Sequence, residues 1–231
     1  MVYRASLLLL ASAAGVGLVA AQDSVRFGPY FSLGATTSYI VEAETTIYPG
    51  KTPSPQQARL ALWPGMGTDA GDLIQTIVLS STDAEAVNCG GKPRVAGEWC
   101  VFASALQDGT QVDGVTYPVT ATQGATINYK YDATTGNTTQ TVSVGGKAVS
   151  ELSTKSGRAI GWGTAVECQD QCSGIVNAHT YENTTIVLAA VDTKFASTLA
   201  KNEATGTLVT TDNKTFKVSK ISIQQSDFAA V

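Results

Sequence analysis

Between Gly124 and Leu152 the sequence falls into pieces in which polar and apolar residues alternate. Ile127, Tyr129 and Tyr131 interleave with Thr126, Asn128 and Lys130; a Thr134-Thr135-Gly136-Asn137 turn follows, and Val142 and Val144 lead into Gly145-Gly146. A period of two ending on a Gly-Gly pair predicts hairpin-connected strands. Such a strand buries one face and wets the other, as in an antiparallel sandwich and not in a parallel sheet. The segment therefore predicts a three-strand meander. Helical spacing is confined to Asp192–Ala200, where Phe195 and Leu199 follow an Asp192 cap and predict two turns at most. The fold class that follows is all-β, an antiparallel β-sandwich.

The rest of the chain agrees. Residues 1–21 read as a signal peptide: Arg4 is the positive end, Leu7–Ala20 the apolar run, and Val19-Ala20-Ala21 a small-residue cleavage site. The run is short for a membrane span, so export without a retained anchor is expected. Residues 22–231 are then one β-sandwich domain, a size common for single sandwiches. Phe27, Tyr30, Phe31 and Leu33 lie in a lead-in expected to cover one end of the core. In Tyr39–Glu44, Tyr39, Val41 and Ala43 share one face and Glu42 and Glu44 the other. Gly206–Val209 and Phe216–Ile223 close the chain as a last hairpin.

Fifteen Lys and Arg against 19 Asp and Glu give a net charge of −4, which lacks the basic footprint of a nucleic-acid binder. In an exported chain the four cysteines read as disulfides. Sequence-local pairing joins Cys89 to Cys100 and Cys168 to Cys172, with other pairings open. Zinc is disfavoured, because these spacings are not those of paired knuckles and the one histidine, His179, lies outside them. Asn137, Asn183 and Asn213 head Asn-x-Thr tripeptides and are candidate glycosylation sites, consistent with a secreted, extracellular glycoprotein.

The candidate chemistry lies in Leu60–Ser80. Two strand-like pieces flank a glycine-rich loop, and Gln75 interrupts a branched apolar run of Leu73, Ile74, Ile77, Val78 and Leu79. A polar residue in a buried strand either finds hydrogen-bond partners in the core, faces outward, or lines a cleft. Further on, Gly97-Glu98-Trp99-Cys100 sets an acid and an indole together. In Gly161-Trp162-Gly163-Thr164-Ala165-Val166-Glu167-Cys168, Glu167 ends an apolar strand beside the small disulfide loop. It is either a carboxylate held on a rigid support, as a catalytic acid or base requires, or a solvated strand-end glutamate.

Trp63-Pro64-Gly65, followed by Gly71 and Leu73-Ile74-Gln75-Thr76, resembles the central signature of the eqolisins, fungal glutamic peptidases with a concanavalin A-like lectin/glucanase (jelly-roll) sandwich. Met66-Gly67-Thr68-Asp69 replaces the acidic glycine-rich loop of that family. The Glu98-Trp99 pair is similar to one that eqolisins carry after their glutamine strand. The resemblance implies Gln75 as the catalytic glutamine and, by order along the chain, Glu167 as the catalytic glutamate, although the Ala-Glu-Trp motif of the family is not reproduced there. Trp63, Glu98 and Trp99 would bind substrate. The implied activity is a cofactor-independent acid endopeptidase, in which the carboxylate takes a proton from water and the amide supports the developing oxyanion. Serine, cysteine and dizinc mechanisms lack their residues: no Gly-x-Ser-x-Gly elbow occurs, and every cysteine has a plausible partner.

The strand pattern begins soon after Gln22, which leaves no room for the propeptide that eqolisins carry. The alternative is a carbohydrate-active protein on the same sandwich, with Glu98 and Glu167 as the acid/base pair, or a lyase using His179. A third class is a secreted binding module without a carboxylate facing Gln75. The expected partner is a polypeptide or polysaccharide, with no nucleic acid, no membrane after signal removal, and a monomeric chain.

Overall fold

Each alternating segment becomes a strand of one of two antiparallel sheets. The computed structural model describes residues 25–55, 59–82, 88–169 and 172–228; the signal peptide expected over 1–21 lies outside them. In chain order the strands are β1 (Arg26–Leu33), β2 (Ile40–Tyr48), β3 (Arg59–Gly67), β4 (Leu73–Ser81), β5 (Asn88–Cys89), β6 (Lys92–Pro93), β7 (Glu98–Gln107), β8 (Thr110–Asp113), β9 (Tyr117–Thr120) and β10 (Ala125–Asp132). They continue as β11 (Asn137–Val144), β12 (Lys147–Thr154), β13 (Trp162–Gln169), β14 (Gly174–Val176), β15 (His179–Leu188), β16 (Ala200–Asn202), β17 (Ala204–Thr205), β18 (Thr215–Ile223) and β19 (Ser226–Phe228).

The first sheet runs β16-β1-β13-β3-β4-β7-β8, with β9 paired to the other half of β7. The second runs β12-β11-β10-β2-β15-β18-β17. The meander predicted over Gly124–Leu152 is β10, β11 and β12, in register from Ala125↔Val144 to Asp132↔Asn137. Its inward residues, Ile127, Tyr129 and Val142, meet Leu62, Val78, Val101 and Val166 of the first sheet in the main core. The outward row Glu44–Asn128 is solvated; Asn128 Nδ2 donates to Glu42 at 3.1 Å and to Glu44 at 3.2 Å.

The helix-spaced segment closes only as a four-residue 3-10 turn, Phe195–Thr198. Asp192 does not cap it from the side chain. Instead its carboxylate accepts from Thr36 Oγ1 and the Thr37 amide, both at 2.7 Å, and from the Lys194 amide at 2.9 Å, tying two loops together. These donors hold its pKa well below the usual carboxylate range. The lead-in is a full strand, β1, paired with β13. Phe31 and Leu33 are buried in it, whereas Phe27 is 58% exposed. A bulge between Phe27 and Tyr30, at Gly28-Pro29, turns Phe27 out of the core.

Candidate functional site

Strand pairing decides which side chains share a face. On β3, Leu60, Leu62 and Met66 point into the sandwich, so Ala61, Trp63 and Gly65 point out. By the same alternation Gln75, Ile77 and Leu79 face out from β4, Cys100, Phe102 and Ser104 from β7, and Gly163, Ala165 and Glu167 from β13. This outer face is not wet throughout. Ala61, Ile77, Leu79, Phe102 and the Cys89–Cys100 disulfide form a second apolar cluster with Trp63 against it. Strand β4 is thus buried on both faces, which accounts for the apolar residues on both sides of Gln75 and Thr76.

Gln75 is 6% exposed and pairs with Gly65 on one side and Ser104 on the other. Gly65 pairs in turn with Gly163, and Ser104 with Asp113. The Gln75 amide is therefore flanked by a row of small residues, Gly163, Gly65 and Ser104. Its Oε1 is buried and has no hydrogen-bond partner among the described residues. An unmet buried carbonyl costs about 1–3 kcal/mol. Pro64, between Trp63 and Gly65, has no N–H for the β4 ladder. Its carbonyl accepts from Tyr129 Oη of the opposite sheet at 2.7 Å.

Glu167 pairs with Ala61 on β3 and Phe27 on β1. Its Oε2 accepts from Trp63 Nε1 at 2.8 Å, and its Oε1 from Gln169 Nε2. Trp63 and Glu167, both singled out from sequence, are thus brought into direct contact. Gln75 and Glu167 are not. They lie two strands apart across the sheet and four residues out of register, on the order of 15 Å between their backbones at ordinary strand spacings. The Glu167 carboxylate is turned to Trp63 and Gln169 and away from the Gln75 row. The residue that shares Gln75's row on β13 is Gly163. The glycines on either side of Trp162 are visible in the sequence, but their relation to Gln75 depends on a register that no local pattern specifies.

Trp99, expected to bind substrate, is 1% exposed in the main core, and its Nε1 donates to the Gly50 carbonyl at 2.8 Å. Alternation is the reason: Glu98 and Cys100 face out, so the indole between them faces in. Glu98 lies at the start of β7, where its Oε2 accepts from the Val95 amide at 2.9 Å. It is three strands from Glu167, on the order of 15 Å away. Their carboxylates turn to different neighbours, Glu98 to the Val95 amide and Glu167 to Trp63 and Gln169.

His179 is buried, with Nδ1 3.2 Å from the Asn177 carbonyl and its ring edge-on to Tyr181. Burial pulls its pKa down to about 4, and it lies at the β15 end of the other sheet, away from Gln75. The disulfides are Cys89–Cys100 and Cys168–Cys172, the sequence-local pairing. Of the glycosylation candidates, Asn137 opens β11, Asn183 stands exposed at a bulge in β15 with φ +55°, and Asn213 occupies a turn with φ +53°.

No protein-family model matches the sequence, and no curated protein matches it. Solved structures do resemble the fold. A crystal structure of Scytalido-glutamic peptidase with a peptide-based transition-state analogue is similar over 85% of this chain and 98% of its own, at 11% identity and a TM-score of 0.51. A structure of SCP-B, a member of the eqolisin family in complex with the tripeptide Ala-Ile-His, aligns over the same shares at 9% identity and a TM-score of 0.47. At such identities the likeness is one of architecture: the chain carries the two-sheet sandwich fold of the glutamic peptidases.

Proposed function

We propose that this protein binds an extended polypeptide across the outer face of its first sheet, and that it does so without a Gln75–Glu167 catalytic pair. The observation that carries the proposal is the unpartnered Oε1 of Gln75 in the row Gly163–Gly65–Gln75–Ser104. Small residues let a ligand backbone approach the sheet, and a turn of the Gln75 side chain toward that backbone gives Oε1 the N–H donor it lacks. Trp63 forms an aromatic wall beside that row. Scytalido-glutamic peptidase, of the same fold, holds a peptide-based ligand, which favours a polypeptide over a polysaccharide. Glu98 and Glu167 are each held by separate neighbours, which disfavours an acid/base pair for glycoside cleavage.

Secretion, removal of residues 1–21, N-glycosylation at Asn137, Asn183 and Asn213, and a monomeric state belong to the same proposal. Two disulfides fit an oxidising compartment. Among the described residues no helix is long and apolar enough to cross a membrane.

The acid endopeptidase with a Gln75–Glu167 dyad remains the competing reading, favoured by the fold likeness alone. One experiment separates the two. Wild type, Gln75→Ala and Glu167→Gln are incubated with a denatured protein from pH 3 to 7, and binding of the same substrate is measured in parallel. Binding without cleavage, weakened about tenfold by Gln75→Ala, is expected; a tenfold change corresponds to about 1.4 kcal/mol, a typical hydrogen-bond loss. Acid-optimal cleavage abolished by both substitutions would establish the dyad instead.

A further inference from the structure

We infer that Glu167 is the anchor of a subsite for a basic side chain, a lysine or arginine of the bound polypeptide; this rests on the polypeptide-binding reading and adds a sequence preference to it. The carboxylate is half-buried on the outer face and fixed by two neutral donors, Trp63 Nε1 on Oε2 and Gln169 Nε2 on Oε1. A carboxylate has about four acceptor directions, so two remain for a cation. Among the described residues it has no ion pair.

The neighbouring cations are directed elsewhere. Arg26 lies over the Phe228 ring at 5.4 Å and donates to the Cys172 carbonyl. Arg59, diagonal to Glu167 on β3, lines a cavity of about 290 Å³ with Phe102, Asp113 and Thr116 on the far side of the face. Glu167 therefore presents a negative charge held in one orientation with no ion pair among the described residues, and such preorganisation favours a charged guest.

Aromatic rings complete the subsite. Phe27 pairs directly with Glu167, on the same side of the sheet, and is 58% exposed. Trp63 stands on the other flank, its indole N–H already turned to the carboxylate. A carboxylate between two aromatic side chains suits a long basic side chain, whose methylenes cover the rings while its head meets the charge and the π faces. It also gives the exposed Phe27 a role. The separation from Gln75, on the order of 15 Å, is spanned by about four or five residues of extended chain. The basic residue should therefore fall about that far along the ligand from the peptide unit at Gln75.

The test has two arms. In the first, a peptide that binds wild type is scanned with lysine at each position against norleucine, on wild type and Glu167→Gln. One position should favour lysine by roughly tenfold in wild type, and Glu167→Gln should reduce the ratio to within about twofold. Equal affinities for the lysine and norleucine peptides at every position, or a ratio unmoved by Glu167→Gln, would overturn the subsite.

The second arm needs no polypeptide. Nα-acetyl-lysine N-methylamide and its norleucine counterpart are titrated against ¹⁵N-labelled protein while the Trp63 indole resonance is followed. A saturable shift with the lysine compound alone is expected. If no peptide binds but this shift appears, the polypeptide reading fails and the cation subsite stands. If peptides bind with no lysine preference and the indole does not move, the subsite fails and the polypeptide reading stands. If neither peptide nor amide binds, both fail.

Discussion

Gln75 and Gly163 share one row of the first sheet, two strands apart with Gly65 between them. The amide thus looks across two glycines, and the carboxylate expected to meet it stands four residues further along β13. Both glycines are crowded. A Cβ at Gly163 would lie 3.0 Å from Ser32 Cβ, and one at Gly65 3.0 Å from the Ile74 carbonyl oxygen, 3.1 Å from Trp63 Cε3 and 3.2 Å from Gln75 Cβ.

Gly65→Ala should therefore disturb the row and leave the fold intact. Overpacking at three contacts of this kind costs about 1–3 kcal/mol, and polypeptide affinity should fall with it because the methyl occupies the backbone's approach. Gly67→Ala, two residues along the same strand with nothing within 4 Å of the added carbon, should stay within about 0.5 kcal/mol of wild type. Urea midpoints and peptide titrations of the two variants check this. Equal behaviour of the pair would remove the steric account of the row.

The tryptophans of β3 and β7 should separate stability from binding. Trp99→Ala removes a core indole together with its hydrogen bond to Gly50 and should cost about 3–5 kcal/mol, a fall in melting temperature on the order of 10 °C for a chain of this size. Trp63→Ala, at a half-buried position on the outer face, should cost less than half as much yet weaken polypeptide binding. Calorimetry and titration of both proteins would reverse these assignments if Trp99→Ala retained the wild-type melting temperature.

His179 sets an acid limit. Its folded pKa is pulled down to about 4 by burial, against 6.5 in the unfolded chain. Between those values the unfolded state binds a proton that the folded state refuses. The stability that depends on a neutral ring is therefore complete above pH 6.5 and is lost as pH falls from 6.5 to 4, by about 3 kcal/mol. Denaturation curves at pH 7, 6, 5 and 4 should fall more steeply for wild type than for His179→Leu. Parallel curves would show that the ring is not buried neutral.

Much of the fold was legible in the residues. Alternation in Ile127–Tyr131 and the Gly145-Gly146 turn specified the meander, and the branched apolar residues around Gln75 marked a largely buried strand. The short spacings Cys89–Cys100 and Cys168–Cys172 matched the disulfides. Trp99 lies in the core and not on the substrate face that the Glu98-Trp99 motif implies, because it shares the parity of Val101 and Ala103. The helix-spaced Asp192–Ala200 shrank to one 3-10 turn because Asp192 spends its acceptors on Thr36 and Thr37, more than 150 residues away in the chain.

The sequence by itself determined that this chain forms antiparallel strands with one wet and one dry face, since side-chain alternation is a local property of an extended backbone. It also singled out Gln75 as a polar residue out of keeping with its strand and Glu167 as a carboxylate at a strand end beside a disulfide, while Trp63 came from the family resemblance. Only the tertiary structure decided which of them meet. Register between β13, β3 and β4 is fixed by packing of the whole sheet, and a shift of four residues keeps every side chain on its own face while moving its partner by about 13 Å. That shift gives Glu167 to Trp63 and leaves Gln75 facing glycine.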